Sequence, residues 1–150
     1  MCVQEVNLQW ARFAFVLATA VGVFPAASAK AEKYLCTVAP TSAEVFIAEA
    51  ILFDVRHGIW ATVFDKNIED VYGQPIMAEV TEASAKRVQF AWRVKAQKIR
   101  FRTGTGGGIG WREKVNYYAT LDNRTRSMRI RAKTASLGNA SAEGKCVLKK

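Results

Sequence analysis

Histidine, cysteine and proline are scarce in these 150 residues, which hold one, three and three of them. A lone His57 cannot supply the histidine pair of a catalytic metal centre. No Cys or His follows Cys36 or Cys146 at ligand spacing either, so no metal is expected. Asp65, Glu69 and Asp70 lie close together but lack the spacing and the glycine of a calcium loop. The one glycine-rich stretch is 103–111, TGTGGGIGW. A phosphate-cradling loop needs a strand before it and a helix after it, and a P-loop also needs a Lys-Ser/Thr pair. Here Trp111-Arg112-Glu113-Lys114 and then a strand follow, so the stretch reads as a loop joining two strands, and no cofactor is implied. A catalytic site is equally hard to assemble. His57 could act as a base with Asp54 orienting it, but the two flank a turn and no serine stands in an activating context. No catalytic residue is assigned.

Charge is missing from residues 13–29, FAFVLATAVGVFPAASA. Arg12 stands before this run, Pro25 breaks it near its end, and Ala27-Ser28-Ala29 places small side chains at −3 and −1. That is the layout of a secretory signal peptide. Its 17 uncharged residues fall short of the about 20 needed to cross a hydrocarbon core. Cleavage is therefore expected after Ala29, or two residues later, rather than retention as a membrane anchor. Cys2 would leave with the peptide, and no cysteine stands at the cleavage point to carry a lipid. Residues 1–29 thus form a signal peptide and 30–150 a single domain without a transmembrane segment, periplasmic or secreted. Cys36 and Cys146, one near each end of an exported chain, are most simply read as a disulfide; two unpaired buried thiols are the alternative. Closing so long a loop would stabilise by roughly 4 to 5 kcal/mol in the chain-entropy model.

Periodicity gives the fold class. Val88, Phe90, Trp92, Val94 and Ala96 alternate with Gln89, Ala91, Arg93 and Lys95, the period of a half-buried strand. Val115, Tyr117, Ala119 and Leu121 alternate with Asn116, Tyr118 and Thr120, and Met128, Ile130 and Ala132 with Arg129, Arg131 and Lys133. Asp122-Asn123-Arg124-Thr125 between the last two suits a hairpin turn. Further strands are expected over 33–38, 48–55, 59–64, 76–81 and 144–148, with turns at Arg56-His57-Gly58 and Gly73-Gln74-Pro75. Thr41-Ser42-Ala43-Glu44 resembles a helix capping box, yet Ile47, Ile51, Phe53 and Val55 favour a strand or extended loop, which is preferred. Trp60, Phe64, Phe90 and Trp92 read as core. The expectation is an all-β domain, a small antiparallel β-sandwich or barrel of about 7–8 strands.

Charge is uneven along the chain. Residues 30–85 carry a net −5 and residues 86–133 a net +12. The basic block is patterned: Arg93 and Lys95 share the outer face of one strand, Lys98, Arg100 and Arg102 that of the next run, and Arg129, Arg131 and Lys133 that of another. If these strands are neighbours, their outer faces merge into a cationic surface able to meet anionic lipid, polysaccharide or an acidic protein. A solvated face partly neutralised by the acidic half is the plain alternative. Nucleic acid is disfavoured, because single-strand binders add stacking aromatics and only Tyr118 falls on the outer side. Export argues the same way.

The succession Tyr34-Leu35-Cys36, Gly73-Gln74-Pro75-Ile76, Phe90-Ala91-Trp92-Arg93-Val94, Tyr118-Ala119-Thr120-Leu121 and Gly144-Lys145-Cys146 resembles a group of small exported proteins of alphaproteobacteria. The resemblance runs from about Tyr34 to Cys146. It implies a bacterial periplasmic or secreted β-protein and a strand over 48–53, and it makes the glycine stretch a variable loop; it implies no activity and carries over no functional residue. The functional expectation is a non-enzymatic binding or interaction module. An envelope structural protein is the alternative, and a hydrolase with an unrecognised site a more distant one.

Overall fold

The computed structural model describes residues 31–40, 44–56, 58–101 and 111–149 of the chain; the expected signal peptide and His57 lie outside them. Alternation gives each strand one apolar face, and a single sheet can bury all of those faces only by rolling up. The strands are β1 (Glu32–Pro40), β2 (Glu44–Val45), β3 (Ala50–Arg56), β4 (Trp60–Asp65), β5 (Ile76–Ala83), β6 (Arg87–Phe101), β7 (Trp111–Asp122), β8 (Ser127–Lys133) and β9 (Asn139–Lys149). One helix, α1 (Lys66–Tyr72), joins β4 to β5. Eight strands close as an antiparallel ring in the order β1, β3, β4, β5, β6, β7, β8, β9, and the short β2 adds to the end of β6. Of the two architectures expected, the barrel is the one formed. Closure removes exposed sheet edges, the usual route to aggregation in β-proteins.

The interior is filled by side chains. Phe53 stacks on Phe90 at 4.6 Å and meets Trp92 edge-on at 5.6 Å, and Trp92 stacks on Tyr117 at 5.0 Å. The same interior holds small residues, among them Ala61, Ala119, Ala132, Ala140 and Ala142, all buried. Large side chains from β3, β6 and β7 are thus combined with small ones from β4, β7, β8 and β9, as filling a small barrel requires. The ring is sealed where β1 meets β9. There Cys36 stands directly opposite Cys146 and the two are disulfide-bonded. One inward position along β9, Gly144 faces Val38, and a Cβ there would fall 2.0 Å from the Thr37 carbonyl oxygen. Only glycine lets the seam close this tightly.

Several expectations are corrected. Residues 65–73 hold a helix that periodicity did not reveal. Asp65 caps it by accepting from the Ile68 N–H (2.8 Å), and Gly73 ends it in the left-handed conformation. Trp60 is not core but 37% exposed, and Phe64 is half-buried on the outer face. The strands β6 and β7 are long, 15 and 12 residues. The strict alternation read through Ala96 breaks at a bulge between Val94 and Gln97, where two residues of β6 oppose one of β7. The Tyr72 hydroxyl accepts from the freed Lys95 N–H, and Arg112 donates to the Ala96 carbonyl.

The bulge turns Gln97 inward, where it is 1% exposed. Its Nε2 donates to the Phe46 carbonyl at 2.6 Å, the Tyr117 hydroxyl bonds the same carbonyl at 2.5 Å and also Gln97 Oε1, and Asn67 Nδ2 adds a third donor at 3.2 Å. This buried knot pins the segment carrying Phe46 and Ile47 into the end of the barrel. Residues 44–50 are accordingly a short strand and extended chain, the preferred of the two readings; 41–43 lie outside the described residues.

Candidate anion-binding face

Register determines which outward side chains meet. On β6, Arg93 and Lys95 point out, and Lys98 does so again beyond the bulge; on β8, Arg129, Arg131 and Lys133 point out. The strands β6 and β8 are not neighbours, but β7 lies between and pairs with both. Arg93, Asn116 and Lys133 form one cross-strand row, Ala91, Tyr118 and Arg131 the next, and Gln89, Thr120 and Arg129 a third. Six of the eight cations singled out from sequence therefore share one surface. Arg100 sits on β6 opposite Val45, and Arg102 lies outside the described residues.

The middle strand adds two exposed cations that the sequence reading missed, Arg112 opposite Lys98 and Lys114 beside the bulge. They share the even-numbered parity of Asn116, Tyr118 and Thr120, and extending that alternation two steps back toward the chain start finds them. Tyr118 is 49% exposed with Lys133 Nζ 5.8 Å from its ring centroid.

Neutralisation within the face is slight. The strands β6–β8 contain ten Lys/Arg and two carboxylates, Glu113 and Asp122. Both carboxylates are committed to backbone amides. Glu113 accepts from the Ala135 and Ser136 N–H groups and the Ser136 hydroxyl, and Asp122 from the Arg124 and Thr125 N–H groups. The Thr125 contacts, and then Arg124, hold Asp122 below the usual carboxylate range. Of the cations, Arg93 donates to Asn116 Oδ1, Arg87 pairs with Glu82 of β5 and Arg129 pairs with Glu143 of β9, all at 2.8 Å. The Arg131 side chain makes no hydrogen bond or ion pair among the described residues.

Over β6–β9 the outer surface is concave, forming a groove of about 920 Å³. Gln89, Tyr118, Thr120, Arg129, Arg131 and Lys145 line it, together with Gly144. The acidic trio 65, 69 and 70 forms no comparable site: Asp65 caps α1, while Glu69 and Asp70 both pair with Lys66. Asp54, the partner considered for His57, lies between Lys33 (3.9 Å) and Arg56 (3.6 Å). No helix among the described residues is long and apolar enough to cross a membrane. Comparison with protein-family models, curated proteins and solved structures finds no match to this chain.

Proposed function

We propose that the chain is an exported, non-enzymatic binding module that engages an anionic partner through the outer face of β6–β8. One observation carries the reading: three adjacent strands hold ten cations against two carboxylates, and the flanking strands supply carboxylate partners to two of those cations, Arg87 and Arg129. Such a face holds a positive potential that draws polyanions and falls off over about 8 Å at physiological salt. Export rests on the uncharged run 13–29 with its small-residue end and on the Cys36–Cys146 bridge, a bond that persists in oxidising compartments.

Two measurements test this. Mass spectrometry of native material should find a chain beginning at Lys30 or Glu32; intact Met1 in the membrane fraction would refute export. The purified domain should be retained on polyuronate resin and by phosphatidylglycerol vesicles at low salt and released as salt rises. Failure to bind either at low salt overturns the anion-binding reading.

A further inference from the structure

Charge alone does not choose among anions, but the shape and lining of the face do. A bilayer surface is flat on the scale of a 920 Å³ groove. Its headgroups would meet exposed cations outside the groove, such as Lys95, Lys98 and Lys114, as readily as those that line it. Single-stranded nucleic acid is held by a succession of aromatic platforms, whereas Tyr118 is the only aromatic among the groove-lining residues. What remains is a narrow, flexible polyanion whose units present hydroxyls as well as charge.

Resting on the reading of this face as anion-binding, we propose that the groove is a site for an acidic polysaccharide, with Arg131 taking a uronate carboxylate and the Tyr118 ring supporting the sugar. Arg131 and Tyr118 are directly opposed across β7 and β8, so a guanidinium and a ring stand side by side. Arg131 has both faces of its fork available for a bidentate contact with a planar carboxylate, a geometry that a lysine does not offer. Lys133, 5.8 Å from the Tyr118 ring, brings a second cation to the same unit, and the Thr120 hydroxyl lies one row away to meet sugar hydroxyls. Arg129 is already tied to Glu143; that carboxylate on the groove wall repels acidic groups on its side and directs them toward Arg131.

The test is titration of the folded, disulfide-intact domain with oligogalacturonate at physiological salt, beside its methyl-esterified neutral form and phosphatidylglycerol vesicles. The free acid should bind and the ester should not. Arg131→Gln and Tyr118→Ala should each weaken binding about tenfold or more, as expected for losing a charged hydrogen bond or a central aromatic contact. Tyr118→Phe, which keeps the ring, should stay close to wild type, and each variant's melting temperature checks folding. Replacing Lys95 and Lys98, which lie outside the groove, should have a much smaller effect. If the lysine pair matters as much as Arg131 and Tyr118, or vesicles bind as tightly as the glycan at this salt, the groove site is overturned while the anion-binding face stands. If no polyanion binds even at low salt, both readings fall.

Discussion

The strands β1, β3, β4 and β5 carry two cations and five carboxylates, whereas β6–β8 carry ten and two. The difference lies almost wholly outside the barrel. Along both walls the inward positions are buried and, apart from Asp65 and Gln97, apolar, and they share one aromatic stack from Phe53 on β3 to Tyr117 on β7. Outside, the acidic side neutralises itself in part: Asp54 lies between Lys33 and Arg56, and Lys66 answers Glu69 and Asp70, while Arg87 reaches over from β6 to Glu82. It also carries an apolar outer row, Val147, Leu35, Leu52 and Phe64, aligned across β9, β1, β3 and β4. The basic side has no such balance: ten cations stand against two carboxylates, and carboxylates of flanking strands take up Arg87 and Arg129. Stability thus resides in what the walls share and the proposed binding in what they do not, so substitutions should separate the two.

The largest expected effect lies at the seam between β1 and β9. Replacing Cys36 and Cys146 together by serine should cost roughly 2 to 5 kcal/mol, since the bridge closes nearly the whole domain into one loop. Thermal unfolding of the variant should match that of the wild type under reductant. An unchanged melting temperature in both would mean that the strand ladder alone holds the seam.

The buried knot on the Phe46 carbonyl comes next, and it is where the walls meet: Gln97 and Tyr117 come from the basic side, Asn67 and Phe46 from the acidic one. Tyr117→Phe removes one donor from that carbonyl and leaves Gln97 Oε1 short of a partner. Burial pushes the Tyr117 hydroxyl far above its ordinary pKa, so it is a neutral donor at any accessible pH. A loss of about 1 to 3 kcal/mol in denaturant unfolding is expected, with polyanion binding intact. Loss of binding without loss of stability would break the separation.

A smaller effect concerns Asp65, a residue 4% exposed whose carboxyl has one oxygen, Oδ2, without a hydrogen-bond partner. Burial raises its pKa from the ordinary 3.8. The folded state therefore holds this proton more tightly than the unfolded one. Asp65 then lowers stability as pH climbs from the unfolded pKa through the folded one, and its effect is constant above that window. Asp65→Asn keeps an oxygen to cap α1 and removes the charge. Its melting temperature relative to wild type should rise with pH across the acidic range and then level off. A difference that does not vary with pH would show that the buried carboxyl does not titrate abnormally.

What sequence made legible follows from how local each signal is. Alternation over 115–121 and 128–133 correctly assigns every inward and outward residue of those spans, because a pleat needs only its own strand to be read. Two cysteines far apart in sequence, in a chain expected to be exported, were enough to pair Cys36 with Cys146. The helix α1 was hidden because seven residues give periodicity too little length; its Asp65 cap and Gly73 stop were present but were read as an acidic cluster and a turn. The bulge at Val94–Gln97 had no local mark, since it serves contacts with Phe46 and Tyr117 far away in sequence. Trp60 and Phe64 were misplaced because aromatic character suggests burial, whereas strand parity decides it. The cationic face was half legible: parity gave the direction of Arg93 and Arg131, but only pairing order shows that β7 joins their strands.

The smallest effect on stability, and the sharpest test of the comparison, is expected from Arg129→Gln with Arg131→Gln. Both side chains point outward from β8, and Ile130 between them is fully buried. The one ion pair lost, Arg129–Glu143, joins side chains that are 63% and 59% exposed. Pairs so exposed contribute about 0 to 1 kcal/mol because water and salt screen them. The double variant should therefore unfold within a few degrees of wild type. Its polyanion binding should nonetheless fall, and the salt dependence should become shallower as two cations leave the face. Glu143, freed of its partner, would add repulsion of its own, so Glu143→Gln in the same background should restore part of the binding. A large loss of stability would instead make these arginines structural and return the basic wall to the same role as the acidic one.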